Sequence, residues 1–160
     1  MISPVKTLYN LALTWLILGL VSGVFYREWT KLAEFTGATQ LSTLHTHMLT
    51  LGVIVHLVLL ALDRGFALTG HKLFTGAIWV YNGGLALTVT LMTVRGLLQV
   101  DGGEPPLPDA VISGMAGLGH IIMTLGLALL FKVLSDQINR VSVAERQNPG
   151  SPSAAMSSSR

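Results

Sequence analysis

The fold that this sequence predicts depends on one stretch, LSTLHTHMLTLGVIVHLVLLAL, at residues 41–62. The stretch contains no Asp, Glu, Lys or Arg, and it carries three of the chain's five histidines, His45, His47 and His56. A helix crosses the hydrocarbon core of a bilayer with roughly 20 apolar residues, each adding about 1.5 Å. Polar side chains inside such a helix are expected to face a bundle interior and to have partners there.

The composition is that of an integral membrane protein. Of the 160 residues, 51% are hydrophobic and 11% are charged, against about 25% charged in soluble domains. The net charge of +2 rests on few residues in loops and ends, so no nucleic-acid partner is indicated. The chain contains no cysteine, which excludes disulfides, thiolate metal sites, iron–sulfur clusters and covalently attached haem.

Three further apolar runs complete a predicted all-α bundle of four transmembrane helices. The spans are predicted at about residues 7–26, 41–62, 73–94 and 110–131, within one membrane domain of residues 1–140. The first run also has features of a signal peptide, but it is long and no A-x-A site follows, so an uncleaved span is favoured. The Ser-, Pro- and Gly-rich residues 141–160 predict a disordered tail. Too little soluble chain remains for a catalytic domain, so an enzyme acting alone is not expected.

Basic residues orient the predicted bundle. Four spans place both termini on one side, and six Lys or Arg residues accompany that side against three on the other. Basic residues favour the cytoplasmic side. The sequence therefore predicts a multi-pass protein of the inner (plasma) membrane with cytoplasmic N- and C-termini and with lipid as its first partner. His71 lies beside Lys72 at a span boundary and is interpreted as a solvated loop residue.

An internal echo indicates two repeated helical hairpins. The sequence LTLG at residues 49–52 resembles MTLG at residues 123–126, and each follows a histidine closely. Aligning the two places His120 level with Thr46, between His45 and His47. Counting back from the boundary residues Asp63 and Lys132 gives instead a depth mismatch of about 6 Å. The echo is preferred, because a lysine can extend toward the interface and misreport the boundary.

The intramembrane histidines are candidate cofactor ligands. At 100° per residue, His45 and His56 share a helix face, and His47 points about 200° away from His45. Neutral imidazole binds haem iron, zinc or copper. His120 follows Gly114, Gly117 and Gly119, which leave space for a flat ring, as Gly52 does beside His45.

These features predict b-type haem between the second and fourth spans. Its ligands would be His45 or His47 on one side and His120 on the other. Arg95 is placed to pair with the haem propionates, and a boundary charge is an equally good reading of this residue. Two haems, one on each histidine of the pair, would favour a homodimer.

The stretch His45-Thr46-His47 followed by MLTLG resembles the His-x-His helix of subunit I of the haem–copper oxidases and nitric oxide reductases. That resemblance implies that His45, and also His47, ligate haem, and that the protein takes part in electron transport. It covers one helix of four, and its glycine spacing differs by one residue. The further histidines that the oxidase centre needs are not found in the other spans. The whole chain also resembles a family of small four-helix bacterial membrane proteins of unknown function.

Three other functions stay open. The histidines can be interior hydrogen-bonding groups, satisfied by threonines or by Asn82. A zinc or copper site is possible only with imidazole ligands, His45, His47, His56 and His120, because no span contains a carboxylate. The chain can also be a non-catalytic accessory subunit with a respiratory-chain partner. A transporter or proton relay is disfavoured, because few polar groups line the spans.

Overall fold

A computed structural model describes residues 3–102 and 109–147, and all regular elements in these two ranges are helical. They are α1 (Pro4–Leu32), α2 (Leu41–His47), a π-helical segment (Met48–Ile54), α3 (Val55–Phe66), a 3₁₀ turn (Leu68–Gly70), α4 (Phe74–Asp101) and α5 (Asp109–Gln147). The elements α2, π segment and α3 follow one another without a break and form the second span, Leu41–Phe66. Within the described residues, four helices are long and apolar enough to cross a membrane. The predicted all-α bundle of a multi-pass membrane protein is confirmed.

The helices extend beyond the predicted spans at several ends. Ser3 caps α1, accepting a hydrogen bond from the Lys6 N–H at 3.3 Å, and Pro4 occupies the first turn. The largest difference is in α5, which continues to Gln147, 16 residues beyond the predicted end of the fourth span at residue 131 and into the predicted disordered tail. Val133 and Gln137 are buried on one face of this extension, and the Gln137 side chain donates to the Ala67 carbonyl at 2.6 Å. Residues 148–160 of the predicted disordered tail lie outside the described residues.

The four spans form two hairpins, spans one with two and spans three with four, and glycines lie at the helix contacts within each. In the first hairpin, α1 meets the second span: a Cβ on Gly19 would lie 2.8 Å from Leu49 Cδ2, and one on Gly52 would lie 2.5 Å from Trp15 Cβ. In the second hairpin, a Cβ on Gly126 would lie 2.5 Å from Tyr81 Cα. The glycine that ends each repeated tetrapeptide, Gly52 or Gly126, therefore packs against an aromatic residue of the preceding span, Trp15 or Tyr81 respectively.

A short connection at the amino end of the bundle, where α1 and α4 begin, joins the two hairpins. Ala67 ends α3 in the left-handed conformation (φ 49°), and the Asp63 carboxylate accepts hydrogen bonds from the Thr69 N–H (2.7 Å) and hydroxyl (3.2 Å). His71 was interpreted as solvated, but it is buried. Its Nδ1 accepts from the Leu73 N–H at 3.2 Å, and its Nε2 lies 3.4 Å from Asp136 of α5. The extension of α5 covers this loop, and therefore the prediction for His71 is wrong.

Candidate functional site

A chain of buried polar side chains links three helices in the middle of the bundle. The indole Nε1 of Trp15 donates to Asn82 Oδ1 at 2.8 Å. The Asn82 amide nitrogen donates to the Ile78 carbonyl at 2.8 Å and lies 2.9 Å from His56 Nε2. His56 and Asn82 are 0% and 5% exposed, so water does not satisfy these groups. The bonds between Trp15, Asn82 and His56 join α1, α4 and the second span.

The donors and acceptors of this chain define the protonation of His56. An indole N–H can only donate and a carbonyl can only accept, so Trp15 and Ile78 fix which end of the Asn82 amide carries the oxygen. The amide nitrogen then donates to His56, whose Nε2 must accept and whose Nδ1 carries the hydrogen. His56 Nδ1 donates in turn to the Gly52 carbonyl, one turn earlier. The imidazole is neutral, and both of its nitrogens are engaged.

The second span is π-helical immediately before His56. A second carbonyl of the π segment, that of Leu51, accepts a hydrogen bond from the Tyr81 hydroxyl at 2.8 Å. Backbone hydrogen bonds from i to i+5 give a smaller rotation per residue than those of an α-helix. Such segments are rare in proteins, but those that occur are often at functional sites. The buried residues of this region recur every fourth position, at Leu44, Met48, Gly52 and His56. In an α-helix, each step of four residues would drift by about 40°.

The slower winding separates the directions of His45 and His56. The prediction that these residues share a helix face used a rotation of 100° per residue throughout the span. In the structure, His56 belongs to the buried row of every fourth residue and its Nε2 faces Asn82 of α4. His45 is one position beyond Leu44 in that row, and it packs against Gly23 of α1. A Cβ on Gly23 would lie 3.6 Å from His45 Cβ. The prediction that His45 and His56 share a helix face is therefore wrong, because the π segment between them changes the rotation that relates them.

The two histidines of the His-x-His pair each retain ring nitrogens without a partner among the described residues. His45 Nδ1 is buried and makes no hydrogen bond. His47 lies about 200° around α2 from His45, on the side away from Gly23. Its Nδ1 is 3.0 Å from the Thr43 carbonyl, which accepts the Nδ1 hydrogen and leaves the Nε2 lone pair available. A backbone carbonyl on one nitrogen is the usual arrangement around a metal-ligating imidazole.

His120 lies at a different depth from this pair. Contacts with α4 relate the depths of the other helices. Gly119 of α5 packs on Thr88 of α4. In the second span, Leu41 packs on Gly96 of α4, and His56 is hydrogen-bonded to Asn82 of α4. When residues of α5 and of the second span are each aligned with α4 through these contacts, His120 lies at the depth of residues 50–51 of the second span. The offset is about 5 Å from His47 and about 8 Å from His45 at 1.5 Å per residue. The prediction that His120 lies level with Thr46 is therefore wrong, and the estimate from the boundary charges was closer.

The residues of the predicted haem site fit that group in part. Two glycines expected to admit the ring are filled: Gly52 by Trp15, and Gly119 by Thr88, whose Oγ1 would lie 2.5 Å from an added Cβ. Gly114 and Gly117 have open space beside them. His120 is exposed on α5, and Arg95 is half-buried near the far end of α4. An imidazole ligand at His47 fits best, because its ring is already oriented.

A multinuclear or all-imidazole metal centre has less support. The ranges 3–102 and 109–147 contain no group of three or more His, Cys, Asp or Glu side chains that could hold a metal ion. A ligand role for His56 would require it to give up Asn82 or the Gly52 carbonyl. The metal-ligand predictions for His45, His47, His56 and His120 stay predictions.

Two polar side chains of this region were not predicted: the indole of Trp15, which belongs to the polar chain, and the hydroxyl of Tyr81, which lies beside it. Neither residue was singled out from the sequence. The signal for Trp15 was available, because a donor-only indole in the middle of an apolar span needs an acceptor. No sequence signal indicated the π segment that Tyr81 contacts.

Fold and site together define a four-span helical membrane protein with a buried Trp–Asn–His chain and a separate His-x-His pair. The family model described as a protein of unknown function (DUF2871) matches residues 5–137, and the chain belongs to this family. No curated protein matches the chain, and no solved structure matches it. The predicted membership of a four-helix family of unknown function is confirmed. The resemblance to haem–copper oxidases receives no support from these comparisons and stays a prediction.

Proposed function

We propose that this protein binds b-type haem in the membrane, as a haem-carrying or electron-transfer module. The observation that carries the proposal is the orientation of His47. Its Nδ1 hydrogen is directed to the Thr43 carbonyl at 3.0 Å, and Nε2 has no partner in the part of the chain that the structure describes. An imidazole with this arrangement is prepared to give its Nε2 lone pair to a metal.

The other residues have defined roles in this proposal. His120 would supply the second imidazole, since its offset of about 5 Å from His47 along the axis is less than one helical turn. Arg95 supplies charge for a carboxylate of the bound group. His45, with its buried unpartnered nitrogen, is the alternative ligand on the second span. Bound haem would supply one-electron chemistry, and the protein would supply ligands and a low-dielectric surrounding.

An absorption spectrum of the purified protein tests this proposal. The protein is produced in cells supplied with a haem precursor, purified in detergent and measured before and after reduction with dithionite. We expect a Soret band and a sharp α band on reduction, with haem b identified as its pyridine complex. A colourless protein that also fails to take up added hemin overturns the proposal. Stoichiometric zinc or copper in such a protein would indicate an all-imidazole site, and its absence would favour an accessory subunit.

A further inference from the structure

Side chains of α4 hold two successive carbonyls of the π segment. Tyr81 donates directly to the Leu51 carbonyl, and Asn82 acts through His56, which donates to the Gly52 carbonyl. We infer that Tyr81 and Asn82 are positioning residues: they hold the π segment and thereby set the directions of His45 and His47. The role given to those histidines rests on the proposed function, whereas the control of their direction does not.

The energetic reason is that a π turn is not the default state of an apolar helix. Side chains inserted into the backbone hydrogen-bond ladder are among the recognised causes of local departures from α-helical geometry. Without the hydrogen bonds from α4, the segment is expected to return to i to i+4 bonding. That change removes about one residue of winding, so α2 would rotate by about 100° relative to α3. The His-x-His pair is on α2 and would rotate with it.

One contact reports this rotation directly. A Cβ on Gly23 would lie 3.6 Å from His45 Cβ, inside the range of about 3.5–4.5 Å found between the Cβ atoms of a disulfide. The chain has no cysteine of its own. The double variant Gly23→Cys/His45→Cys therefore contains one pair of thiols, and their oxidation measures whether position 45 faces α1.

The experiment compares initial rates of disulfide formation in membranes treated with copper phenanthroline. We expect rapid oxidation in the double variant and a severalfold lower rate after Tyr81→Phe or Asn82→Leu is added. Gly83→Ala is the matched control on α4, because no atom lies within 4 Å of an added Cβ there, and its rate should be unchanged. An unchanged rate with both Tyr81→Phe and Asn82→Leu would overturn the inference. If Asn82→Leu is not monodisperse on gel filtration, Tyr81→Phe decides alone, since it removes only a hydroxyl.

The result is separable from the fate of the proposed function. Disulfide formation is measured without haem, so a lower rate supports the inference even if the protein is colourless. In the chain with both histidines intact, Tyr81→Phe is also expected to lower the Soret-to-protein ratio or shift the α band, which a merely structural hydroxyl would leave unchanged. Pigment that persists unaltered together with an unchanged cross-linking rate would leave the haem proposal standing and remove the positioning role.

Discussion

Asn82 donates to Nε2 of His56 across 2.9 Å, and this bond joins the two hairpins in the middle of the bundle. The same Asn82 side chain accepts from Trp15 of α1 at 2.8 Å. One amide therefore satisfies a donor from the first span and an acceptor from the second. In a low-dielectric interior, a fully satisfied chain of this kind stabilises one arrangement of helices, because any other leaves polar groups unpaired.

Replacing Asn82 should destabilise the bundle. Asn82→Leu breaks two interhelical hydrogen bonds, each worth roughly 0.6 kcal/mol on average in membrane proteins, and leaves buried partners unsatisfied at about 1–3 kcal/mol. We expect a loss of about 1–3 kcal/mol, measured by SDS-induced unfolding in mixed micelles. Thr90→Ala is the control, because the exposed Thr90 hydroxyl bonds only to the Ala86 carbonyl of its own helix. Equal stability of the two variants would contradict the assigned role of Asn82.

The adjacent glycines of α4 should respond oppositely to alanine. A Cβ on Gly84 would meet the backbone of α5, with Met123 Cα at 2.7 Å, whereas no atom lies within 4 Å of one on Gly83. Gly84→Ala must separate the two helices, and overpacking typically costs about 1–3 kcal/mol. Gly83→Ala should be neutral or slightly stabilising. Melting temperatures in detergent test the pair, and a tolerant Gly84 would show that the α4–α5 contact is wrong.

His71 should contribute to stability and not to cofactor binding. Its Nε2 lies 3.4 Å from Asp136, whose side chain is 34% exposed, so solvent screens the pair and their coupling is expected to be small. A double-mutant cycle with His71→Ala and Asp136→Ala measures this coupling by thermal unfolding. Additive losses would show that the two side chains do not interact. Pigment should be retained in His71→Ala, which makes it a control for the ligand variants.

The orientation predicted from basic residues can be tested with single thiols. Ala38→Cys and Gly70→Cys place one exposed thiol in each of two connections at opposite ends of the bundle. A membrane-impermeant maleimide applied to intact cells should label position 38 and not position 70, because the distribution of basic residues predicts a cytoplasmic location for residue 70. Labelling of position 70 and not of position 38 would show that the protein has the opposite orientation in the membrane.

The sequence was sufficient to predict the four spans, because long uncharged apolar runs have few other stable structures. It also singled out Asn82 as a possible hydrogen-bond partner for the histidines. The indole of Trp15 was the remaining part of that chain. It could have been identified by asking which donor lies at the corresponding depth of the first span.

The relative directions of the histidines could not be predicted. A uniform 100° per residue relates His45 to His56 only when the helix between them is α-helical. The π segment between them instead accepts side-chain hydrogen bonds from Tyr81 of α4 and from His56 of its own span. The depth of His120 was missed for a similar reason. A short repeat predicts equivalent places within each hairpin, but the offset between hairpins is set by contacts such as Gly96 with Leu41.

The most direct test of the haem proposal is the Soret absorbance per mole of protein in three alanine variants, compared with the unaltered chain. The proposal predicts that His47→Ala loses the pigment, that His120→Ala loses it or converts it to a high-spin form, and that His71→Ala retains it. Full pigment in His47→Ala would contradict the ligand role of His47, and full pigment in the double variant His45→Ala/His47→Ala would contradict the haem proposal itself.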